Sequence, residues 1–144
     1  MTAIAITDPV LQQISPDQIE AAWPMIEDQI KEVCARTGGR WTLDGVAMRF
    51  LERKWQLWIV WDGRLRAVLA TELHLEMSGQ KTCDVRFCTG GHSLEWVHLI
   101  EHLELWAQAE GCTRLAMIAR KGWAKRLPDY HMTHVHLEKA LPHG

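Results

Sequence analysis

Residues 85–93 read Val-Arg-Phe-Cys-Thr-Gly-Gly-His-Ser, and this stretch decides the fold. The run from Thr82 to Cys88 has the apolar and β-forming composition of a strand. Adjacent glycines at 90 and 91 break that pattern, and from Leu94 to about Glu110 apolar residues recur at helical spacing until Gly111 ends the helix. The stretch therefore predicts a strand, a bend and a long helix. The buried stripe of that helix is predicted to be Trp96, Leu99, Ile100, Leu103, Trp106 and Ala107.

Three shorter elements are predicted downstream of the long helix. Thr113 to Ala119 is a nearly continuous apolar run, which is typical of a strand covered on both faces. Lys121 to Leu127 is predicted to be a short helix that Pro128-Asp129 ends. His131 to Leu137 is predicted to be the last strand, because apolar and polar residues alternate there.

Upstream, two helices are predicted before any strand. Ser15 is a suitable N-cap with Pro16 at the first helical position, and the apolar residues that follow keep helical spacing as far as Val33. A second, short helix is predicted after Thr42, with Asp44 as its cap. Its buried residues are predicted to be Val46, Phe50 and Leu51.

An antiparallel meander is predicted in the middle of the chain. Gln56 to Trp61 is rich in β-forming residues, and Asp62-Gly63 is a strong hairpin signal. Leu65 to Leu75 is the returning strand, and a turn at Ser78 to Gln80 leads to the strand that begins at Thr82. The fold class is therefore predicted to be α/β (α+β), a mixed central sheet with an antiparallel meander followed by parallel strands and flanking helices.

Composition predicts one globular domain over residues 1–144. Charged residues make up 24% and apolar residues 47%, and the net charge of −2 argues against a general nucleic-acid binder. The four cysteines show no CxxC pair and are expected to be free and reduced. The start lacks a secretory signal pattern, and no segment reaches the about 20 apolar residues of a membrane span. Eight tryptophans are available for a core or, alternatively, for a docking surface.

The order of elements, and most specifically residues 82–141, resembles the GNAT acetyltransferase superfamily. In that family, amides of the loop between a strand and the long helix hold the pyrophosphate of acetyl-CoA, at a helix end that favours anions. The resemblance implies a cofactor site formed by Cys88, Thr89, Gly90, Gly91, His92 and Ser93, with Arg120 or Lys121 contributing charge to the phosphates. It also directs attention to Tyr130, the single tyrosine, which is either a proton donor to the leaving thiolate or a structural ring.

This chain departs from the family pattern at two places. The family loop begins with Arg or Gln and separates its glycines, whereas Gly90 and Gly91 are adjacent here, and the family's later Asn is replaced by Arg120. Gln56-Leu57-Trp58, Thr71-Glu72 and Gly122-Trp123, with the paired glycines, resemble small GNAT-like proteins of tailed bacteriophages and prophages. That resemblance implies a virion-associated structural or accessory protein with weak or lost catalysis. Its place would be the virion or host cytoplasm, and its tryptophans would contact other virion proteins or a second copy. The alternative is an active acetyl-CoA-dependent N-acyltransferase.

Other motifs in the sequence suggest different chemistry. His98, Glu101 and His102 match the inverted zincin pattern, but no suitable third ligand follows, so we expect no metal. His134 and His136 are expected on a solvated strand face, and a Cys88–His92 nucleophile pair lacks a group to orient the histidine. The basic stretch from Arg114 to Arg126 leaves a nucleic-acid or acidic-partner module as a third, weaker hypothesis.

Overall fold

The computed structural model describes residues 8–119 and 122–142, and a five-stranded sheet lies at its centre. The strands are β1 (Val10–Ile14), β2 (Gln56–Trp61), β3 (Leu65–Leu75), β4 (Lys81–Cys88) and β5 (Arg114–Met117). The helices are α1 (Ile19–Arg36), α2 (Leu43–Leu51), α3 (Ile100–Ala109) and α4 (Gly122–Arg126). Short 3-10 turns cover Pro16–Gln18, Ser93–Glu95 and Val97–Leu99.

The strands lie in chain order across the sheet. The pairs β1–β2, β2–β3 and β3–β4 are antiparallel, and β4–β5 is parallel. The predicted fold class is therefore confirmed, and β2 and β3 have the predicted bounds. The strand β1 was not predicted, because its sequence Val-Leu-Gln-Gln-Ile has little apolar alternation and it forms by pairing with β2.

Each face of the sheet is covered by helices over its own apolar cluster. On one face α1 and α2 pack on β2, β3 and the end of β4, with Ile26, Ile30 and Phe50 fully buried. On the other face Trp96, Leu99, Ile100 and Leu103 pack on the sheet, as the predicted stripe required. The sheet therefore separates two large clusters of buried side chains, one on each face.

Five predicted details are wrong. Leu51 of α2, which was predicted to be buried, is exposed. Thr42, not Asp44, caps α2, because the Thr42 Oγ1 accepts a hydrogen bond from Gly45 N at 3.0 Å. The chain from 93 to 99 forms two 3-10 turns, so the α-helix begins at Ile100 and not near Leu94. The strand after α3 covers only Arg114–Met117, less than the predicted 113–119.

The last wrong detail is the strand predicted over 131–137. That stretch has no regular secondary structure, and Val135 and Leu137 are exposed. A strand needs a neighbour for its backbone hydrogen bonds, and none of the described strands pairs with it. No helix among the described residues is long and apolar enough to cross a membrane.

Candidate functional site

A β-bulge interrupts β4 two residues before its end. Phe87 pairs with Ala70 and Val85 pairs with Thr71, so Arg86 is an extra residue on β4. The bulge also changes which face the side chains occupy, because Val85 packs in the α3 cluster and Phe87 packs in the α1/α2 cluster. Such an irregularity bends the strand and re-aims the residues after it.

The parallel ladder ends at this bulge. The last β4–β5 pair is Val85 with Met117, whereas β4 continues to Cys88. Among the described residues, the β5 side of β4 beyond Val85 therefore has no neighbouring strand. The sheet is open between these two strands, at the edge to which the glycine loop belongs.

The loop after β4 is held to β3 by a buried threonine. Thr89 N donates to Val68 O at 2.9 Å, and Val68 N donates to Thr89 Oγ1 at 3.0 Å. Gly90 follows with φ +103°, and a Cβ at this position would lie 2.1 Å from Arg66 O. Only glycine fits such a position, which explains the first glycine of the pair.

The next residues present unused backbone donors. Within the described part of the chain, no hydrogen bond uses the amides of Gly90, Gly91, His92 or Ser93. His92 has φ +52°, a left-handed conformation that costs free energy and occurs more often at functional sites than elsewhere. Successive free amides in and beside a left-handed turn form a concave site for an anion. These amides border an open depression of about 450 Å³, which is lined by residues 90–95 and Arg126.

The buried side chain of Trp96 is hydrogen-bonded to this loop. Its side chain is 1% exposed, and its Nε1 donates to Gly91 O at 3.2 Å. Trp96 has a φ of −135°, which is not helical. It therefore separates the two 3-10 turns. The free amides therefore lead into a 3-10 turn and not into the N-terminus of an α-helix, as had been predicted.

Arg126 reaches the same depression from α4. Its Nη1 donates to Ser93 Oγ at 2.6 Å, and its guanidinium carbon lies 5.8 Å from the centre of the Trp123 ring. The sequence placed Arg126 in a basic stretch but did not assign it to the site. The charge pattern was the available signal, and it could not show which of those basic side chains faces the loop.

The predicted cofactor residues divide into two groups. Gly90, Gly91, His92 and Ser93 line the depression together. Cys88 and Thr89 do not line it: Thr89 is buried against β3, and burial raises the pKa of the half-buried Cys88 thiol to about 12. Arg120 and Lys121 lie outside the described residues.

Tyr130 lies on the α3 side of the sheet and does not line the depression. Its hydroxyl donates to Glu104 Oε2 at 2.6 Å. Burial, and then the neighbouring Glu104 carboxylate, raise the pKa of Tyr130 above its usual range. Its proton is therefore held toward Glu104, and the proton-donor role predicted for it stays a prediction.

A carboxylate lies on β4 beside the bulge. Asp84 is half-buried and pairs across the sheet with Glu72 of β3. Burial is the largest effect on Asp84 and raises the pKa of its carboxyl, against the charge of Arg86. Arg86 itself donates to Glu72. No sequence signal marked this carboxylate, because a bulge is not visible in the residue pattern.

No protein-family model and no curated protein matches this sequence. Solved structures do match it. An aminoglycoside acetyltransferase from an uncultured soil metagenomic sample, in complex with sisomicin, is 8% identical with a TM-score of 0.69, covering 94% of this chain and 97% of that chain. A ribosomal-protein-alanine N-acetyltransferase from Brucella melitensis biovar Abortus 2308 is 13% identical with a TM-score of 0.61, covering 94% and 99%.

A third match has the same extent. Glucosamine-6-phosphate N-acetyltransferase from Arabidopsis thaliana is 10% identical with a TM-score of 0.61, covering 93% of this chain and 99% of that chain. Identities this low show the fold alone. Over nearly its whole length, this chain has the fold of the GNAT acetyltransferases.

Proposed function

We propose that this protein is an acyl-CoA-dependent N-acyltransferase. One observation carries the proposal: four consecutive loop amides, from Gly90 to Ser93, are unused within the described chain and border an open depression. The fold supports it, since the similar solved structures named above are acetyltransferases.

The described residues fit the phosphate end of acetyl-CoA. The amides of Gly90, Gly91, His92 and Ser93 would hold the pyrophosphate, because backbone N–H groups of a nest bind anions without a charged side chain. Bound acetyl-CoA supplies an acetyl group activated as a thioester. This mode of binding depends on backbone conformation and not on residue type, so it does not require the arginine with which the family loop begins.

The open edge of β4 fits the arm of the same ligand. Beyond Val85 the peptide groups of β4 have no described neighbour on the β5 side and would hold the amide groups of the pantetheine arm. The stretch of β4 without a described β5 neighbour runs from Arg86 to Cys88. An arm that starts at the loop amides and follows this stretch would bring the acyl end to the bulge at Arg86.

Asp84 is the residue we assign to the proton of the acceptor amine. Amines of the lysine type are protonated at neutral pH and must lose a proton before they attack. The Asp84 carboxyl has a raised pKa, which makes its carboxylate a better proton acceptor than an ordinary aspartate. Glu72, opposite Asp84 on β3, is ion-paired with Arg86, which leaves Asp84 as the carboxylate that accepts this proton.

The test is calorimetric titration of acetyl-CoA into the wild type and two charge variants. His92→Asp places a carboxylate among the free amides, in a left-handed position that Asp tolerates. His98→Asp makes the same change on an exposed residue that does not line the depression. We expect binding by the wild type, binding weaker by about tenfold or more in His92→Asp, and little change in His98→Asp.

Two results would contradict the proposal. Absence of wild-type binding at millimolar acetyl-CoA would end it. Equal loss in both variants would show that the amides are not the site. Turnover is checked by thiol release in the presence of a primary amine, where Asp84→Asn is expected to lower the rate by about 10²–10⁴-fold.

The virion or accessory role implied by the phage resemblance stays a prediction. An exposed patch of tryptophans would support that role. Trp55 is buried, and Trp41 and Trp61 are half-buried against the α1/α2 cluster. No specific observation therefore favours that role over acyl transfer.

A further inference from the structure

Arg126 has a guanidinium that the described chain leaves largely unused. Its one hydrogen bond to a described residue is the 2.6 Å bond to Ser93 Oγ, a neutral partner, although a guanidinium has five N–H donors. Across residues 8–119 and 122–142, no carboxylate lies within ion-pair distance of it. A cation at the rim of a depression, with no anionic partner, is available for an anionic ligand.

Its position is fixed by aromatic packing against the loop. The guanidinium lies over the Trp123 ring, whose centre is 6.1 Å from that of Trp96. Trp96 in turn donates to Gly91 O. The cation and the free amides are therefore linked through two indoles in tilted contact, which reduces the entropy lost when both contact one ligand.

A second cation near the loop is already paired. Arg66 Nε lies 2.7 Å from Asp62 Oδ2, and its Nη1 lies 3.9 Å from Glu95 Oε2. Arg66 therefore has carboxylate partners on both sides, and Arg126 does not. Of these two, Arg126 is the one whose charge a bound phosphate would neutralise.

We infer that Arg126 is the side-chain phosphate ligand of the acyl-CoA site, and that it exchanges the Ser93 hydroxyl for a phosphate oxygen when the ligand binds. The inference rests on the proposed function and deepens it. A guanidinium suits phosphate because its donors form a planar fork that can engage two oxygens. The consequence is a preference for acyl carriers that bear a pyrophosphate over acyl-pantetheine, which bears none.

The experiment compares acetyl-CoA affinity by calorimetry in the wild type and three variants. Arg126→Gln removes the cation and is expected to weaken binding about tenfold to a hundredfold, the worth of one charge-assisted hydrogen bond. Lys125→Gln removes the same charge from an exposed neighbour on α4 and is expected to stay within about twofold. Thermal melting of each variant shows that it is folded.

Ser93→Ala separates a ligand contact from a structural role. If Arg126 only ordered the loop through Ser93, Ser93→Ala would weaken binding as much as Arg126→Gln does. If Arg126 binds phosphate, the alanine variant keeps the guanidinium and the loop amides, and it is expected to weaken binding much less than Arg126→Gln does. Should Arg126→Gln not fold, Arg126→Lys serves instead, with an intermediate affinity and a retained salt dependence expected.

The outcomes of this experiment are distinct from those of the proposed function. Wild-type binding with equal affinity in Arg126→Gln would overturn the Arg126 assignment alone. Parallel losses in Arg126→Gln and Ser93→Ala would also overturn it. No wild-type binding would remove the proposed function and this inference together.

Discussion

Replacing Gly90 by alanine tests the loop geometry on which the site depends. The residue has φ +103°, and an added Cβ would lie 2.1 Å from Arg66 O and 3.0 Å from the Cα and Cβ of Ala67. The strained conformation costs about 1–3 kcal/mol for a non-glycine residue. Relief of the overlap with backbone costs a further ~1–3 kcal/mol. We therefore expect Gly90→Ala to lower the free energy of unfolding by about 2–6 kcal/mol.

The adjacent glycine is the matched control. Gly91 has no left-handed φ, and its added Cβ would meet no atom within 4 Å. Gly91→Ala is expected to change the free energy of unfolding by less than about 1 kcal/mol, since alanine also restricts the unfolded chain. Urea denaturation followed by tryptophan fluorescence measures both. Equal effects of the two substitutions, or a neutral Gly90→Ala, would refute the geometry of this loop.

Further predictions concern single side chains. Asp84→Asn is expected to raise the free energy of unfolding at pH 7, because the raised pKa of Asp84 means that its charged form is less stable in the folded than in the unfolded chain. The gain should vanish below about pH 4, where the carboxyl is protonated in both states, and urea denaturation at the two pH values measures it. Trp96→Phe should lower the free energy of unfolding by about 2–3 kcal/mol, because the smaller ring leaves a cavity and Gly91 O loses its hydrogen-bond donor. Hydrogen exchange of the loop amides, followed by NMR, should be faster in this variant. Cys88, with a pKa of about 12, should react with iodoacetamide at pH 8 about a thousandfold more slowly than glutathione, as measured by peptide mass spectrometry; a comparable rate would contradict its burial.

The sheet was predictable wherever a strand carries its own signal. β2 and β3 matched because β-forming residues flank the Asp62-Gly63 hairpin, whose glycine has φ +99°. β1 carries two glutamines, and its identity as a strand comes from its partner β2. The strand expected over 131–137 shows the converse, since alternation alone does not form a strand without a neighbour.

The sequence indicated the loop of the candidate site, but not the geometry of that loop. The paired glycines indicated the loop. The hydrogen bond from the Trp96 side chain to Gly91 O depends on tertiary packing, which the sequence pattern does not show. The bulge at Arg86 lies two residues from Asp84. It follows from the strand register, which the residue pattern does not show. Arg126 was visible as charge, and only the position of α4 against the loop distinguishes it from its basic neighbours.

The most direct measurement is a ¹H–¹⁵N NMR titration of the wild type with coenzyme A. If the loop binds the pyrophosphate, the amide signals of Gly90, Gly91, His92 and Ser93 shift downfield together and saturate with one affinity, because each N–H gains an anionic acceptor. If those four signals stay in place while the ligand is in excess, or if the shifts lie elsewhere in the sheet, the loop is not the site.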